Sequence, residues 1–134
     1  MTYTSAVLQK GTFFYLTGPS NHLHIIINDP VFCPERGFEA VAAVNITSMT
    51  ANHDPACILE VGCHPFIKHP SYVFYKDATV FSSTKLSTGI ASGDISVDTP
   101  VTEELLKRVL DGFNTSKFVK PKIKRFLKNH AKVL

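Results

Sequence analysis

Short runs of aromatic and β-branched residues, separated by turn-prone segments, occupy the first two thirds of the chain. Such runs are typical of strands, whose side chains point alternately to the two faces of a sheet. The runs lie at residues 11–17, 22–28, 39–49, 57–61 and 71–81. No strong helical pattern interrupts them. Five or six short strands in succession predict a mainly β fold, a small antiparallel barrel.

The run at residues 71–81 carries polar side chains on both of its predicted faces. Alternation along a strand places Val73, Tyr75 and Asp77 on one face. It places Phe74 and Lys76 on the other face. Neither face is entirely apolar, which favours a strand that presents polar groups to a cleft or an interface. The alternative is an edge strand whose charged residues, Lys76 and Asp77, only prevent aggregation.

The first strong helical pattern begins near Pro100 and continues to about residue 114. Proline suits the first turn of a helix, and the acids near its start and the bases further along match the helix dipole. The sequence therefore predicts one barrel domain over residues 1–116, closed by a helix at 100–114. The apolar face of that helix consists of Val101, Leu105, Val109 and Phe113.

Residues 117–134 form a strongly basic C-terminal extension. This segment holds 7 of the 14 Lys and Arg residues and no acid, so its formal charge is +7, whereas residues 1–116 have a charge of −4. Ile123, Phe126 and Leu127 give a predicted helix from residue 121 to about 132 an apolar side that can dock on the barrel or on a partner. A solvated charged surface and a membrane surface are alternatives, but we favour contact with phosphates.

Composition and cysteine content favour a cytoplasmic protein. The chain of 134 residues has 44% hydrophobic and 19% charged residues, which is typical of one folded domain. Three cysteines, an odd number, suit a reducing compartment better than a disulfide framework. The first residues lack the pattern of a signal peptide, and no apolar run is long enough to span a membrane. We therefore expect no membrane partner.

Two histidines at strand spacing, His22 and His24, raise the possibility of a metal site. In cupins a similar pair is followed by an acidic ligand, but Asn28 stands near that place here. The cysteines form no C-x-x-C pair, and the chain has no phosphate-binding loop or nucleophile motif. The sequence therefore predicts no metal and no other cofactor, with a metal-dependent small-molecule enzyme as a remote alternative.

The order of elements over residues 11–114 resembles that of the MazF and PemK toxins, small SH3-like barrels that cleave single-stranded RNA. Two departures concern residues of the family pattern: Asn21-His22 replaces an Arg-Pro pair, and Tyr75-Lys76-Asp77 replaces an Asp-Gln pair. The basic extension has no counterpart in the short members. The similar segments are Gly11-Thr-Phe-Phe, residues 22–28, Val44-Asn-Ile-Thr-Ser, residues 68–86 and the helix that starts at Val101.

The resemblance implies an endoribonuclease that needs no metal, in which a ribose 2′-hydroxyl attacks the adjacent phosphate. Arg36 and Thr47 match the family positions that serve phosphate binding and proton transfer, and Ser48 is their neighbour. His22, His24 or His69 would supply an imidazole, and Asp77 matches an acidic position after a shift of one residue. The RNA-binding candidates are Lys68, His69, Tyr75, Lys76, Lys122, Lys124 and Arg125.

The resemblance also implies partners and an alternative function. The partners would be single-stranded RNA, an antitoxin protein and a second copy of the chain in a homodimer. The same superfamily contains gyrase-binding toxins, so the alternative is a non-catalytic barrel toxin or binding protein that acts on a protein or nucleic-acid target. Fold alone does not decide between these two functions.

Overall fold

Seven antiparallel strands form one curved, half-barrel sheet in the computed structural model, which describes residues 8–18 and 22–134. Their order across the sheet is β5-β6-β4-β2-β1-β7, and β3 pairs with β4 beside β2. The predicted mainly β, barrel-like fold is confirmed, and each of the five predicted runs contains a strand. The strands are β1 Phe13–Leu16, β2 Leu23–Ile26, β3 Val31–Cys33, β4 Phe38–Ser48, β5 Ile58–Leu59, β6 Ser71–Ser82 and β7 Ile95–Asp98.

Three short helices, α1 Ser83–Ser92, α2 Glu103–Thr115 and α3 Pro121–Arg125, complete the described part of the chain, and a π-helical turn at Phe126–His130 follows α3. The side chain of Thr102 caps α2 by accepting a hydrogen bond from the Leu105 amide. The predicted C-terminal helix is therefore present but starts at residue 103. No helix among the described residues has the length and apolar character needed to cross a membrane.

Helix α1 was not expected from the sequence, because serine, threonine and glycine have weak helix propensity. The side chain of Ser82 accepts a hydrogen bond from the Lys85 amide at its start, and Gly93 ends it with a positive φ of 89°. Leu86 and Ile90 of α1 are buried against the sheet. Burial of this apolar side therefore outweighs the weak local preference.

A wide irregularity in β6 changes which of its side chains are buried. Along β4 the register advances by two residues from Ala43 to Asn45, whereas their partners on β6 are Thr79 and Phe74, five residues apart. Three additional residues in β6 reverse the alternation beyond them. Alternation predicted that Asp77 shares a face with Val73 and Tyr75. This prediction is wrong for the same reason, since Val73 and Tyr75 are buried and Asp77 is exposed.

The C-terminal extension packs into the main hydrophobic core of the barrel. Ile123, Phe126 and Leu127 are buried in the same cluster as the inner face of the sheet. The guanidinium of Arg36, in the turn before β4, lies 5.7 Å from the centre of the Phe126 ring. All seven cationic side chains of the extension are exposed. The predicted apolar side thus docks on the barrel and leaves the charges outside.

A buried histidine, His64, joins the loop after β5 to the opposite outer strand of the sheet. Its ring stacks on Phe13 of β1 with 3.8 Å between the ring centres. Its Nε2 donates a hydrogen bond of 2.6 Å to the carbonyl of Thr99, just after β7, and its Nδ1 accepts one of 3.1 Å from the Phe66 amide. These partners place the ring proton on Nε2. The loop therefore spans one end of the half-barrel.

Replacing Phe126 with alanine tests whether the extension belongs to the core. We expect the variant to lose about 3–5 kcal/mol of unfolding free energy, since the buried ring is replaced by a cavity. The matched control is Lys124→Ala in the same segment, which should change stability by less than about 0.5 kcal/mol because its side chain is exposed. Urea denaturation followed by circular dichroism measures both. Equal midpoints for the two variants would contradict a core role.

Candidate functional site

A cleft of about 210 Å³ lies at the edge of the sheet where β2 begins, β4 ends and β6 begins. Several separate segments of the chain contribute to it, and none of the described residues that line it is acidic. The polar lining residues are His22, Asn45, Thr47, Ser48, Lys68, His69 and Ser71, and the apolar ones are Leu23, Ile46 and Phe66.

Hydrogen bonds within the loop after β5 hold the two basic residues of the cleft in place. The Ser71 hydroxyl donates to the carbonyl of His69 over 2.8 Å, and the Met49 amide donates to the carbonyl of Pro70 over 3.0 Å. The second bond ties the loop to the end of β4. Lys68 and His69 are therefore exposed side chains on a backbone that hydrogen bonds hold at His69 and Pro70, and such support favours a binding site.

His22 occupies the cleft immediately before β2, and its backbone is held by two donors. The amide of Leu16 donates to the His22 carbonyl over 3.4 Å, and Nδ1 of His24 donates to the same oxygen over 3.0 Å. The His22 side chain itself is exposed. Its imidazole is therefore available to a ligand while its backbone is restrained.

His24 has a positioning role and does not line the cleft. Its ring stacks on Phe14 with 4.8 Å between the ring centres and an interplanar angle of 4°, and it meets the Phe81 ring edge-on. Burial lowers the pKa of His24 below its ordinary value; the hydrogen bond to the His22 carbonyl opposes this shift, and the nearby charge of His22 adds to it. The structure thus separates the two histidines that the sequence places together.

Asn45 has a buried side-chain oxygen without a hydrogen-bond partner in the described structure. It lies in the middle of β4, directly opposite His24 of β2, and it lines the cleft. Buried polar atoms normally have partners, so this unsatisfied oxygen is an exception in the wall of the cleft. Sequence analysis missed Asn45, although a lone amide within the apolar run of β4 was a usable signal.

Besides His24, two other catalytic candidates lie outside the cleft, Arg36 and Asp77. Arg36 precedes β4, whereas Thr47 and Ser48 lie at the other end of that strand. The guanidinium of Arg36 lies over the ring of Phe126, and one guanidinium nitrogen lies 3.5 Å from the sulfur of Cys33. Asp77 is an exposed residue of the irregular part of β6 and does not line the cleft.

Tyr75 cannot contact RNA in this structure because it is fully buried. Its hydroxyl donates a hydrogen bond of 2.7 Å to the carbonyl of Val109, and its ring meets Phe113 edge-on. Gly112 of α2 makes room for this ring, since a side chain there would collide with the tyrosine. Burial raises the pKa of the Tyr75 hydroxyl. Its assignment as an RNA-binding residue is therefore wrong.

The remaining RNA-binding candidates lie on other surfaces. Lys76 of β6 is exposed and lines a second cavity. Lys122, Lys124 and Arg125 are exposed on α3, which contacts β6. Of the thirteen candidates the cleft therefore unites five: His22, Thr47, Ser48, Lys68 and His69.

The functional groups of the cleft suit proton transfer next to an anion. Imidazoles can both accept and donate protons near neutral pH, and an ammonium group with hydroxyls can stabilise a phosphate. Among residues 8–18 and 22–134, no three histidine, cysteine, aspartate or glutamate side chains lie together so that they could hold a metal ion. What this cleft offers is acid–base chemistry from its own side chains.

The half-buried His24 should make the protein less stable in mild acid. Its lowered pKa means that the unfolded chain binds a proton first as the pH falls, so stability decreases from about pH 6.5 down to the pKa of the folded state. The variant His24→Phe keeps a ring against Phe14 but cannot titrate. Urea unfolding at several pH values should show a shallower loss of stability for the variant. Parallel curves for both proteins would contradict this origin.

Comparisons with known protein families, with curated proteins and with solved structures found no match to this chain. The resemblance to the MazF and PemK toxins therefore stays a prediction from the sequence. The function has to be argued from the residues of the cleft.

Proposed function

We propose that this protein is an endoribonuclease that cleaves RNA with its own side chains, without a metal ion. The observation that carries the proposal is the cleft in which two exposed imidazoles, His22 and His69, share one cavity with the ammonium of Lys68 and with hydroxyl groups. The described residues of its lining include a lysine and no acid, which favours an anionic ligand.

The two imidazoles provide the acid and the base for transfer of a phosphoryl group. One imidazole accepts the proton of the ribose 2′-hydroxyl while its oxygen forms a bond to the adjacent phosphorus. The bond from phosphorus to the 5′-oxygen breaks, and the second imidazole protonates this leaving oxygen. The products are a 2′,3′-cyclic phosphate end and a 5′-hydroxyl end, and no water is consumed.

Lys68 and the hydroxyls stabilise the charge that grows on the phosphate oxygens. Thr47 and Ser48 at the end of β4, with Lys68 from the loop opposite, would surround a phosphate placed between the two histidines. These contacts hold the 2′-hydroxyl close to phosphorus, which supplies a large part of the rate acceleration.

The proposal extends to single-stranded RNA as substrate, because bases of a single strand can turn away from each other and bind to protein side chains. The toxin role, the antitoxin partner and the homodimer belong to the same proposal, but only through the sequence resemblance. The cleavage chemistry does not depend on them.

Cleavage assays with purified protein and single-stranded RNA test this proposal. We expect cleavage in the presence of EDTA, with cyclic phosphate ends, and a loss of rate of about 100-fold or more in His22→Ala and in His69→Ala, since each removes one proton-transfer group. The matched control is His130→Ala, because His130 pairs with Glu35 near the start of β4 over 2.9 Å and is outside the cleft.

Three results would contradict the proposal. Intact RNA across varied substrates would favour a non-catalytic binding protein. Activity that EDTA abolishes and that zinc or manganese restores would favour a metal site. Equal rates for the cleft variants and the His130 control would remove the two imidazoles from the mechanism. An RNA with a single 2′-deoxy position should resist cleavage at that position, because the nucleophile is missing.

A further inference from the structure

A second cavity, of about 190 Å³, lies beside the cleft and is lined in part by three residues of β6. It is smaller than the roughly 300–1,000 Å³ typical of sites for drug-sized ligands, so it suits a fragment with the size of one ring system. Three aromatic rings, one ammonium, one amide and one carboxylate line it. These belong to Tyr72, Phe74, Phe118, Lys76, Asn52 and Asp54.

The strand register places this cavity directly next to the cleft. Thr47 of the cleft pairs with Tyr72 of the second cavity, and Asn45 of the cleft pairs with Phe74. Neighbouring strands are about 5 Å apart, so one chain of nucleotides can reach both sites. A polymer held with one phosphate in the cleft would bring an adjacent part of itself to the aromatic cavity.

Phe118 is an exposed aromatic side chain on a rigid backbone. Its side chain is 53% exposed, yet its amide donates a hydrogen bond of 3.1 Å to the hydroxyl of Ser116. That hydroxyl donates a bond of 2.6 Å to the buried carboxylate of Asp54, whose other oxygen accepts from the Ala56 amide. A ring held in this way loses little conformational freedom when a ligand stacks on it.

We propose that this second cavity, which we call the base pocket (Asn52, Asp54, Tyr72, Phe74, Lys76 and Phe118), binds one nucleobase of the RNA that occupies the cleft. This inference rests on the proposed function for the identity of the polymer. Stacking of a base on aromatic rings is the usual way in which single strands are held, and Lys76 lies where it can contact a neighbouring phosphate. The exposed Lys117, next to Phe118, extends the positive charge beyond the pocket.

The polar wall of the base pocket selects bases that carry an exocyclic amino group. An ionised carboxylate only accepts hydrogen bonds, and each of its oxygens can accept about two. In Asp54 each oxygen has one partner inside the protein, which leaves capacity for a donor in the pocket. Adenine, cytosine and guanine offer an amino group, whereas the one donor of the uracil base, its ring N3–H, lies between two carbonyl oxygens that a carboxylate would repel. The pocket should therefore discriminate against uracil.

A tryptophan at position 118 makes the pocket visible to fluorescence, because the chain contains no tryptophan. The variant Phe118→Trp would be titrated with 2′-O-methyl RNA octamers of adenine or of uracil, which lack the nucleophile and cannot be cut. We expect saturable quenching by the adenine octamer and at least 5-fold weaker binding of the uracil octamer. The matched control is Phe32→Trp, an exposed ring on β3, which should show no saturable quenching.

Removal of the ring gives an independent measurement. In Phe118→Ala, binding of a labelled adenine octamer should weaken by roughly 5- to 100-fold, the range that stacking of one base on an aromatic side chain produces. This position tolerates the change because its side chain is exposed. Phe118→Tyr keeps the ring and should restore most of the affinity.

The base pocket is overturned if the adenine octamer does not quench Phe118→Trp, if both tryptophan variants respond alike, or if Phe118→Ala binds as tightly as the unmodified protein. Absence of quenching would leave the cavity to a protein partner. Equal binding of the two octamers would overturn the role of Asp54. Quenching in a protein that cuts no RNA would support the pocket and overturn the nuclease proposal, whereas cleavage without quenching would overturn the pocket alone.

Discussion

The buried imidazole of His64 connects the two outer strands of the sheet, and the geometry of the cleft depends on this connection. Strand β5 consists of only two residues, so the loop that follows it has little support from strand pairing. Both nitrogens of His64 and one face of its ring are in use, the last through the stack on Phe13. A satisfied polar group inside an apolar core specifies one arrangement, because any other would leave donors and acceptors unpaired. Lys68 and His69 follow on the same loop, so the anchoring of His64 also fixes the positions of these two residues.

The C-terminal extension carries a surplus of positive charge, which opposes its folding. A segment with seven cationic side chains and no acid would be only marginally helical on its own. Each pairwise repulsion is weak in water, but the repulsions add up. Burying Val119, Ile123, Phe126 and Leu127 contributes about 1.5–3 kcal/mol for each side chain. Repulsion between exposed charges is screened beyond about 8–10 Å, so burial outweighs it. The charged surface is therefore a consequence of core packing and remains available for an anionic ligand.

The sequence predicted those features that depend on local periodicity. The five strand runs and α2 have strong patterns, and the residues of the cleft stand at strand ends, where polar side chains reach the surface. Helix α1 was not predicted, because it is stabilised by the burial of Leu86 and Ile90 against residues that are distant in the sequence. The exposure of Asp77 depended on additional residues in β6, which an alternating pattern does not reveal. The burial of Tyr75 depended on Val109 and Gly112 of α2, more than 30 residues away along the chain. Arg36 was assigned by its position in a resemblance, while its real partner, Phe126, is 90 residues away.

The location of the extension in the core also affects how the protein is made. A chain leaves the ribosome from its N-terminus, and domains generally fold as units. Here the sheet is complete once β7 has emerged, but its inner face still lacks Ile123, Phe126 and Leu127. Until those residues are translated, the nascent half-barrel exposes apolar surface and cannot reach its stable form. The same residues, together with Phe118, are synthesised after the whole sheet, so the base pocket and the finished core arise in one late step. A chain interrupted before residue 118 would therefore be both unfinished in its core and without the pocket, and it would be a substrate for chaperones and proteases.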